Sequence, residues 1–166
     1  SDSGGKIKQL VKDDNNNTLE KRLWSAADQL RANSGLTAQQ YAQPVLGLIF
    51  LRFAEARFST LRAKLEKKAA GSRRGSQVED PGAYHAEGVL YLTPGARFDH
   101  LLALPEGGAV GKVVNDAMRD VEKHNSQLAG VLPKTYEIFD GTLLKQLLKL
   151  VSEIPITVDY DAFGRI

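Results

Sequence analysis

Residues 19–58 read LEKRLWSAADQLRANSGLTAQQYAQPVLGLIFLRFAEARF. Leu19, Leu23, Ala27 and Leu30 recur at helical spacing, with Trp24 beside Leu23. Asn17, three residues before Glu20, reads as an N-cap followed by an acidic first turn. Gly35 is placed to end this helix in the left-handed conformation. Thr37 and Gln40 have the spacing of a capping box and open a second helix. Between residues 45 and 53 only Gly47 and Arg52 interrupt the apolar run. A helix that is apolar nearly all round is buried on most sides. The second helix is therefore predicted at the centre of the domain, with Leu48, Ile49, Leu51 and Phe53 in the core. Ala54, Phe58, Leu61 and Leu65 continue one stripe, while Glu55, Arg57, Arg62, Lys64 and Glu66 are polar. Pro44 either starts this helix after a short preceding turn or kinks a longer one.

Outward from this stretch, helical patterns alternate with glycine- and proline-bearing loops. Residues 1–17 are polar. Residues 70–77 (AGSRRGSQ) are small, polar and basic and read as a surface loop, which residues 79–82 extend with turn signals. Residues 89–92 are short and β-compatible. Thr93-Pro94 starts a short helix carrying Phe98, Leu101 and Leu102. Val110, Val113, Val114, Ala117, Met118 and Val121 define an amphipathic helix, and Leu143, Leu144, Leu147, Leu148 and Val151 another, stopped at Pro155. The predicted fold is mostly α: a compact, bundle-like, multi-helix domain with at most a short β segment.

The 166 residues suffice for one domain, whose core can remove ~70% of the unfolded surface from water. There is no cysteine, which excludes disulfides, thiolate metal sites and thiol nucleophiles and fits a reducing compartment. The longest apolar run, residues 45–51, is far short of the ~20 residues of a membrane span. No secretory signal pattern is present, and a cytoplasmic location without membrane contact is expected.

Charge is unevenly spread. Residues 1–83 carry 14 Lys and Arg against 9 Asp and Glu, whereas residues 84–166 carry 8 against 11. The excess peaks where Arg62, Lys64, Lys67, Lys68, Arg73 and Arg74 face only Glu66. Such a cluster attracts phosphate, and it is also the composition of a solvated helix end and loop. Arg62, Lys67, Lys68, Arg73 and Arg74 are the candidate DNA-contacting residues.

No constellation for catalysis is visible. His85, His100 and His124 lie in separate segments and form no zinc-hydrolase spacing. His124 at a helix end suits the helix dipole. Asp116 and Asp120 could share a metal at i, i+4, but Arg119 and Lys123 between and beside them make a mixed-charge solvent face the simpler reading. Residues 107–112 (GGAVGK) lack the spacing and the hydroxyl residue of a phosphate loop and read as a loop entering a helix. Trp24 could stack on a base, yet its place in an apolar stripe points to packing. No catalytic, cofactor-binding or metal-ligating residue is assigned.

An ordered set of blocks resembles one family. The set comprises residues 23–28 (LWSAAD) with Leu30 and Arg31, residues 45–53 (VLGLIFLRF), residues 91–94 (YLTP) with residues 96–98 (ARF), and residues 115–118 (NDAM) with Glu122 and Asn125. Residues 128–132 (LAGVL) and 161–166 (DAFGRI) complete it. Together they resemble the amino-terminal helical domain of the methyltransferase (modification) subunit of type I restriction-modification systems. The family's parent enzyme is an adenine-specific DNA methyltransferase that uses S-adenosylmethionine. It binds the cofactor through a glycine-rich turn after a strand and methylates a flipped adenine with an Asn-Pro-Pro-aromatic motif. Neither motif occurs in these 166 residues.

The resemblance therefore implies a non-catalytic piece of a bacterial, cytoplasmic enzyme, with no cofactor of its own. Residues 18–158 would form the helical domain and residues 159–166 would open a linker into the S-adenosylmethionine-dependent domain. The implied partners are that domain, the specificity and restriction subunits, and double-stranded DNA in the assembled complex. The implied role is to assist DNA engagement and assembly, while the specificity subunit reads the target sequence. The alternative is a standalone helical protein–protein interaction module without DNA contact.

Overall fold

A computed structural model describes residues 17–71 and 77–156, with side chains from Lys21 onward. Helix α1 spans Asn17–Ser34, α2 Ala38–Ala70, α3 Pro81–His85, α4 Phe98–Leu102, α5 Val110–His124 and α6 Gly141–Ser152. Single 3₁₀ turns lie at Pro94–Ala96, Ser126–Leu128 and Tyr136–Ile138. No strand occurs among the described residues, and residues 89–92 belong to no regular element. The domain is mostly α, as the periodicity predicts. The expected roles of the Asn17 side chain, Arg73, Arg74 and residues 161–166 fall outside the described residues.

The local signals explain the helix ends. Gly35 has φ 72° and turns the chain between α1 and α2. Thr37 accepts the Gln40 N–H at 3.2 Å, while the Gln40 side chain accepts the Thr37 N–H at 3.0 Å. Pro44 does not start α2 but lies inside it. The ring removes one helical donor, and the Pro44 carbonyl accepts a hydrogen bond from the buried hydroxyl of Tyr136 at 2.7 Å. Asp80 accepts the Gly82 N–H at 3.1 Å and Pro81 occupies the first turn, so part of the expected 79–82 loop extension is a capped helix, α3.

The core gathers on α6, which touches α1, α2, α4 and α5. Leu144, Leu147 and Leu148 are fully buried there, against Leu48, Leu51 and Phe58 of α2, Leu101 of α4, and Val114 and Met118 of α5. The expectation that α2 is buried on most sides needs correction. Leu48 and Leu51 are inaccessible, but Ile49 and Phe53 are only half-buried, and Leu46 and Phe50 remain 45% and 38% exposed. The other described elements cover one side of α2 and leave a strip of its apolar circumference partly exposed. Burial also includes Glu55, which the sequence places among the polar positions.

Candidate functional site

The basic end of α2 divides. Arg62 forms ion pairs with Glu66 at 3.1 Å and Glu79 at 3.0 Å, and Glu79 also accepts the Tyr91 hydroxyl at 3.0 Å. The Tyr91 hydrogen bond, then that of Arg62, holds the Glu79 carboxyl below its ordinary range. Arg62 thus ties the end of α2 to the segment entering α3. Lys67 and Lys68, in the last turn, are exposed. At 100° per residue, Lys68 lies roughly 120° around the helix from Arg62. The structure thus sets Arg62 and Lys68 on different sides of α2.

Behind Arg62 sits an aromatic cluster. Phe58 stacks on Tyr84 with ring centres 4.9 Å apart and meets Tyr91 edge-on at 5.9 Å. The Arg97 guanidinium lies 4.9 Å from the Phe58 ring centre. Its Nε donates to the Leu92 carbonyl at 3.3 Å. The Tyr84 hydroxyl donates to the Val78 carbonyl at 2.7 Å. These contacts fix the chain on either side of α3 against α2.

Helix α5 carries two polar residues, Asn115 and Glu122, and its C-cap a third, Asn125, that hold irregular backbone. The Asn115 Oδ1 accepts the Tyr136 N–H at 2.9 Å. Glu122 accepts the Leu132 N–H at 2.9 Å and the Lys134 ammonium at 2.8 Å. The Lys134 hydrogen bond, opposed by burial and aided by backbone N–H groups, holds the Glu122 carboxyl below its usual range. Asn125 is completely buried. Its Nδ2 donates to the Tyr91 and Val121 carbonyls at 2.9 and 2.8 Å. Its Oδ1 accepts the Tyr91 N–H at 2.9 Å and lies 2.8 Å from the His85 Nε2. Since that oxygen is an acceptor, the His85 Nε2 carries the proton in this contact. Sequence reasoning missed these roles. The available signal was polar residues beside Val114, Met118 and Val121 on an apolar helix face, where a buried amide must find partners.

The residues considered for chemistry are engaged structurally. Asp116 pairs with Arg119 at 2.8 Å, whereas Asp120 accepts the Thr93 hydroxyl and lies 3.4 Å from the His124 Nδ1. The two carboxylates thus have separate partners. No group of three or more potential metal ligands occurs among the described residues. His100 is exposed. Residues 107–109 lead into α5 as expected, and Gly111 brings that helix against the Tyr136 carbonyl, where an added Cβ would stand 2.6 Å from the oxygen. Glu55 accepts the Asp99 N–H at 3.2 Å at the start of α4, and burial raises its carboxyl above the ordinary value. Trp24 is half-buried and lines an apolar cavity of about 70 Å³ with Tyr41 and Val45 of α2 and Leu147 and Val151 of α6.

A further surface feature is the strip of α2 that the described elements leave partly exposed. Between Phe50, Phe53 and Ala54 on the helix and Val89, Leu90 and Leu128 opposite runs a groove of about 290 Å³. The described arrangement holds loops and presents surfaces.

The pattern of the HsdM N-terminal domain matches residues 19–151, from α1 to the end of α6. The chain belongs to the HsdM N-terminal domain family. It is 32% identical over 164 residues to the type I restriction enzyme MjaIX methylase subunit of Methanocaldococcus jannaschii. That alignment covers 89% of this chain and 29% of the relative, so the HsdM N-terminal domain chain spans under a third of the relative it matches. No solved structure matches it. In this HsdM N-terminal domain, Asn115, Glu122 and Asn125, which carried part of the resemblance, hold backbone. No described helix is long and apolar enough to cross a membrane.

Proposed function

We propose that this chain is the non-catalytic amino-terminal domain of a type I restriction-modification DNA adenine methyltransferase subunit, and that it assists assembly and DNA engagement. The observation that carries this reading is the family match across residues 19–151, in a chain aligned to less than a third of a methylase subunit. The S-adenosylmethionine site and the adenine pocket then belong to the remainder of the parent subunit. The partners are that remainder, the specificity and restriction subunits, and duplex DNA. Exposed Lys67 and Lys68, with Arg73 and Arg74 that follow in sequence, supply sequence-independent attraction to phosphate, and Arg62 supports them by anchoring the helix end. The complex works in the cytoplasm, where its DNA is.

The test uses the assembled methylase–specificity complex. Replacing Lys67, Lys68, Arg73 and Arg74 by alanine weakens binding to all duplex sequences about equally. The log–log salt slope becomes shallower by ~0.9 for each phosphate that is no longer neutralised. Unchanged affinity and slope overturn the DNA contact. Calorimetric titration of the isolated chain with S-adenosylmethionine gives no specific heat, and stoichiometric binding overturns the non-catalytic assignment.

A further inference from the structure

Helix α1 is seated differently from the helices it covers. Among its residues with described side chains, Leu23 alone is buried, whereas α6 buries Leu144, Leu147, Leu148 and Val151. Trp24, Ala27 and Leu30 of α1 are half-buried. On the Trp24 and Ala27 flank lies the apolar cavity of about 70 Å³, against Tyr41 and Val45 of α2 and Leu147 of α6. On the opposite flank a cleft of about 410 Å³ runs between Gln29 and Asn33 of α1 and Gln146 and Lys149 of α6. Space on both flanks withholds the close contacts that hold a helix against its neighbours. Tyr41 reaches across from the core: its ring meets Phe139 edge-on at 6.3 Å, and its hydroxyl donates to the Ala27 carbonyl at 3.2 Å. At the end of α1, Gly35 holds φ 72°, and a Cβ added there would meet nothing within 4 Å. The connection between α1 and α2 can therefore turn without disturbing packed neighbours.

A helix of 18 residues is marginal in water by itself, so α1 depends on this seat. A seat with few buried side chains and space on both flanks opens at a lower free energy than a packed core does. We propose that α1 is a hinged arm, which docks and undocks as one unit about Gly35 while α2, α5 and α6 stay folded. Undocking bares the apolar face formed by Tyr41, Val45, Ile49, Leu147 and Val151. Helix α1 is thus a lid over that face, and a few backbone torsions beside Gly35 absorb its movement. This device is independent of the DNA contact proposed above.

The experiment is native-state hydrogen exchange on the whole chain in low concentrations of urea. The amides of Leu23, Ala27 and Leu30 exchange through one shared opening and are protected at least about tenfold less than those of Leu147 and Leu148. That opening depends less steeply on urea than global unfolding does, because it exposes less surface. Two variants separate arm motion from global unfolding. Leu101 is fully buried on α4, away from the seat. Leu101→Val lowers the protection of α6 and leaves that of α1 unaltered, because the packing it weakens survives undocking. Gly35→Ala strains the docked turn and lowers the protection of α1 at least about fivefold. Exchange of α1 in step with α6 overturns the proposal, as does a fall in α1 protection that follows α6 in Leu101→Val. So does stepwise fraying of α1 from one end without a shared opening, or no protection in α1 at all. Unchanged α1 protection in Gly35→Ala overturns the hinge.

Discussion

The Tyr136 hydroxyl donates to the Pro44 carbonyl at 2.7 Å, joining residues 92 positions apart in the interior of the domain. The same hydroxyl would lie 2.4 Å from a Cβ placed on Gly47, and Pro133 Cγ would lie 2.5 Å from it. Gly47 is therefore the gap in α2 through which the 133–136 segment approaches the helix. Gly47→Ala should be destabilised by about 1–3 kcal/mol or more through overpacking. Tyr136→Phe should cost about 1–2 kcal/mol through the missing buried hydrogen bond. Urea denaturation measures both, and an unchanged midpoint for Gly47→Ala would contradict the close approach.

Leu48 and Leu46 make a paired test of which side of α2 is inside. Leu48 is inaccessible and Leu46 is 45% exposed. Leu48→Ala should cost about 2–5 kcal/mol. Leu46→Ala should stay within about 0.5 kcal/mol. Similar melting for the two variants would mean that the uncovered strip is misplaced.

Two glutamates should bend the pH dependence of stability in opposite directions. Glu122 is held below its ordinary value of 4.5, foremost by Lys134. Its stabilisation is complete above that value and is lost as pH falls through the lower folded value. Glu122→Gln should therefore cost about 1–3 kcal/mol near neutral pH, and the cost should shrink in acid below the ordinary carboxylate range. Denaturation midpoints at neutral and acid pH read this directly, and a cost independent of pH would exclude the charged contact.

Glu55 has the reverse sign. Burial lifts its carboxyl above 4.5. The folded state then binds more protons, so its contribution declines as pH rises from 4.5 through the folded value. Glu55→Gln keeps an oxygen acceptor for the Asp99 N–H and removes the buried charge. It should flatten that decline and leave α4 in place. A variant that melts earlier at neutral pH than at pH 4.5, as strongly as the parent does, would refute this account.

Asn125→Asp tests a fully satisfied amide. The new carboxylate oxygen would face the Tyr91 and Val121 carbonyls that Nδ2 now serves. The expected loss is about 1–3 kcal/mol or more, growing as the carboxyl ionises with rising pH. Equal stability at acid and neutral pH would show that the amide is oriented otherwise.

The parts legible in the sequence are those set by neighbours in the chain. The Thr37–Gln40 box, the left-handed Gly35, the α5 stripe and the α6 stripe all follow from local chemistry. The exposure of Leu46 and Phe50 was not legible, because an all-round apolar helix does not reveal which side its neighbours cover. Glu55 looked like a surface carboxylate because its partner, the Asp99 N–H, lies 44 positions away. For the candidate site, the exposed ends Lys67 and Lys68 were readable from composition. The Arg62–Glu79 pair was not, since it requires the chain to double back after α2.

The anchors on α5 and at its C-cap grip the peptide groups of Tyr91, Leu132 and Tyr136, and Glu122 adds the Lys134 side chain. A main-chain handle is present whatever residue occupies the position, proline at a donor excepted. Tyr91 and Tyr136 are held twice over, by their peptide groups on these anchors and by their buried rings, so the course of both segments is fixed even where a neighbour such as Val131 stands exposed.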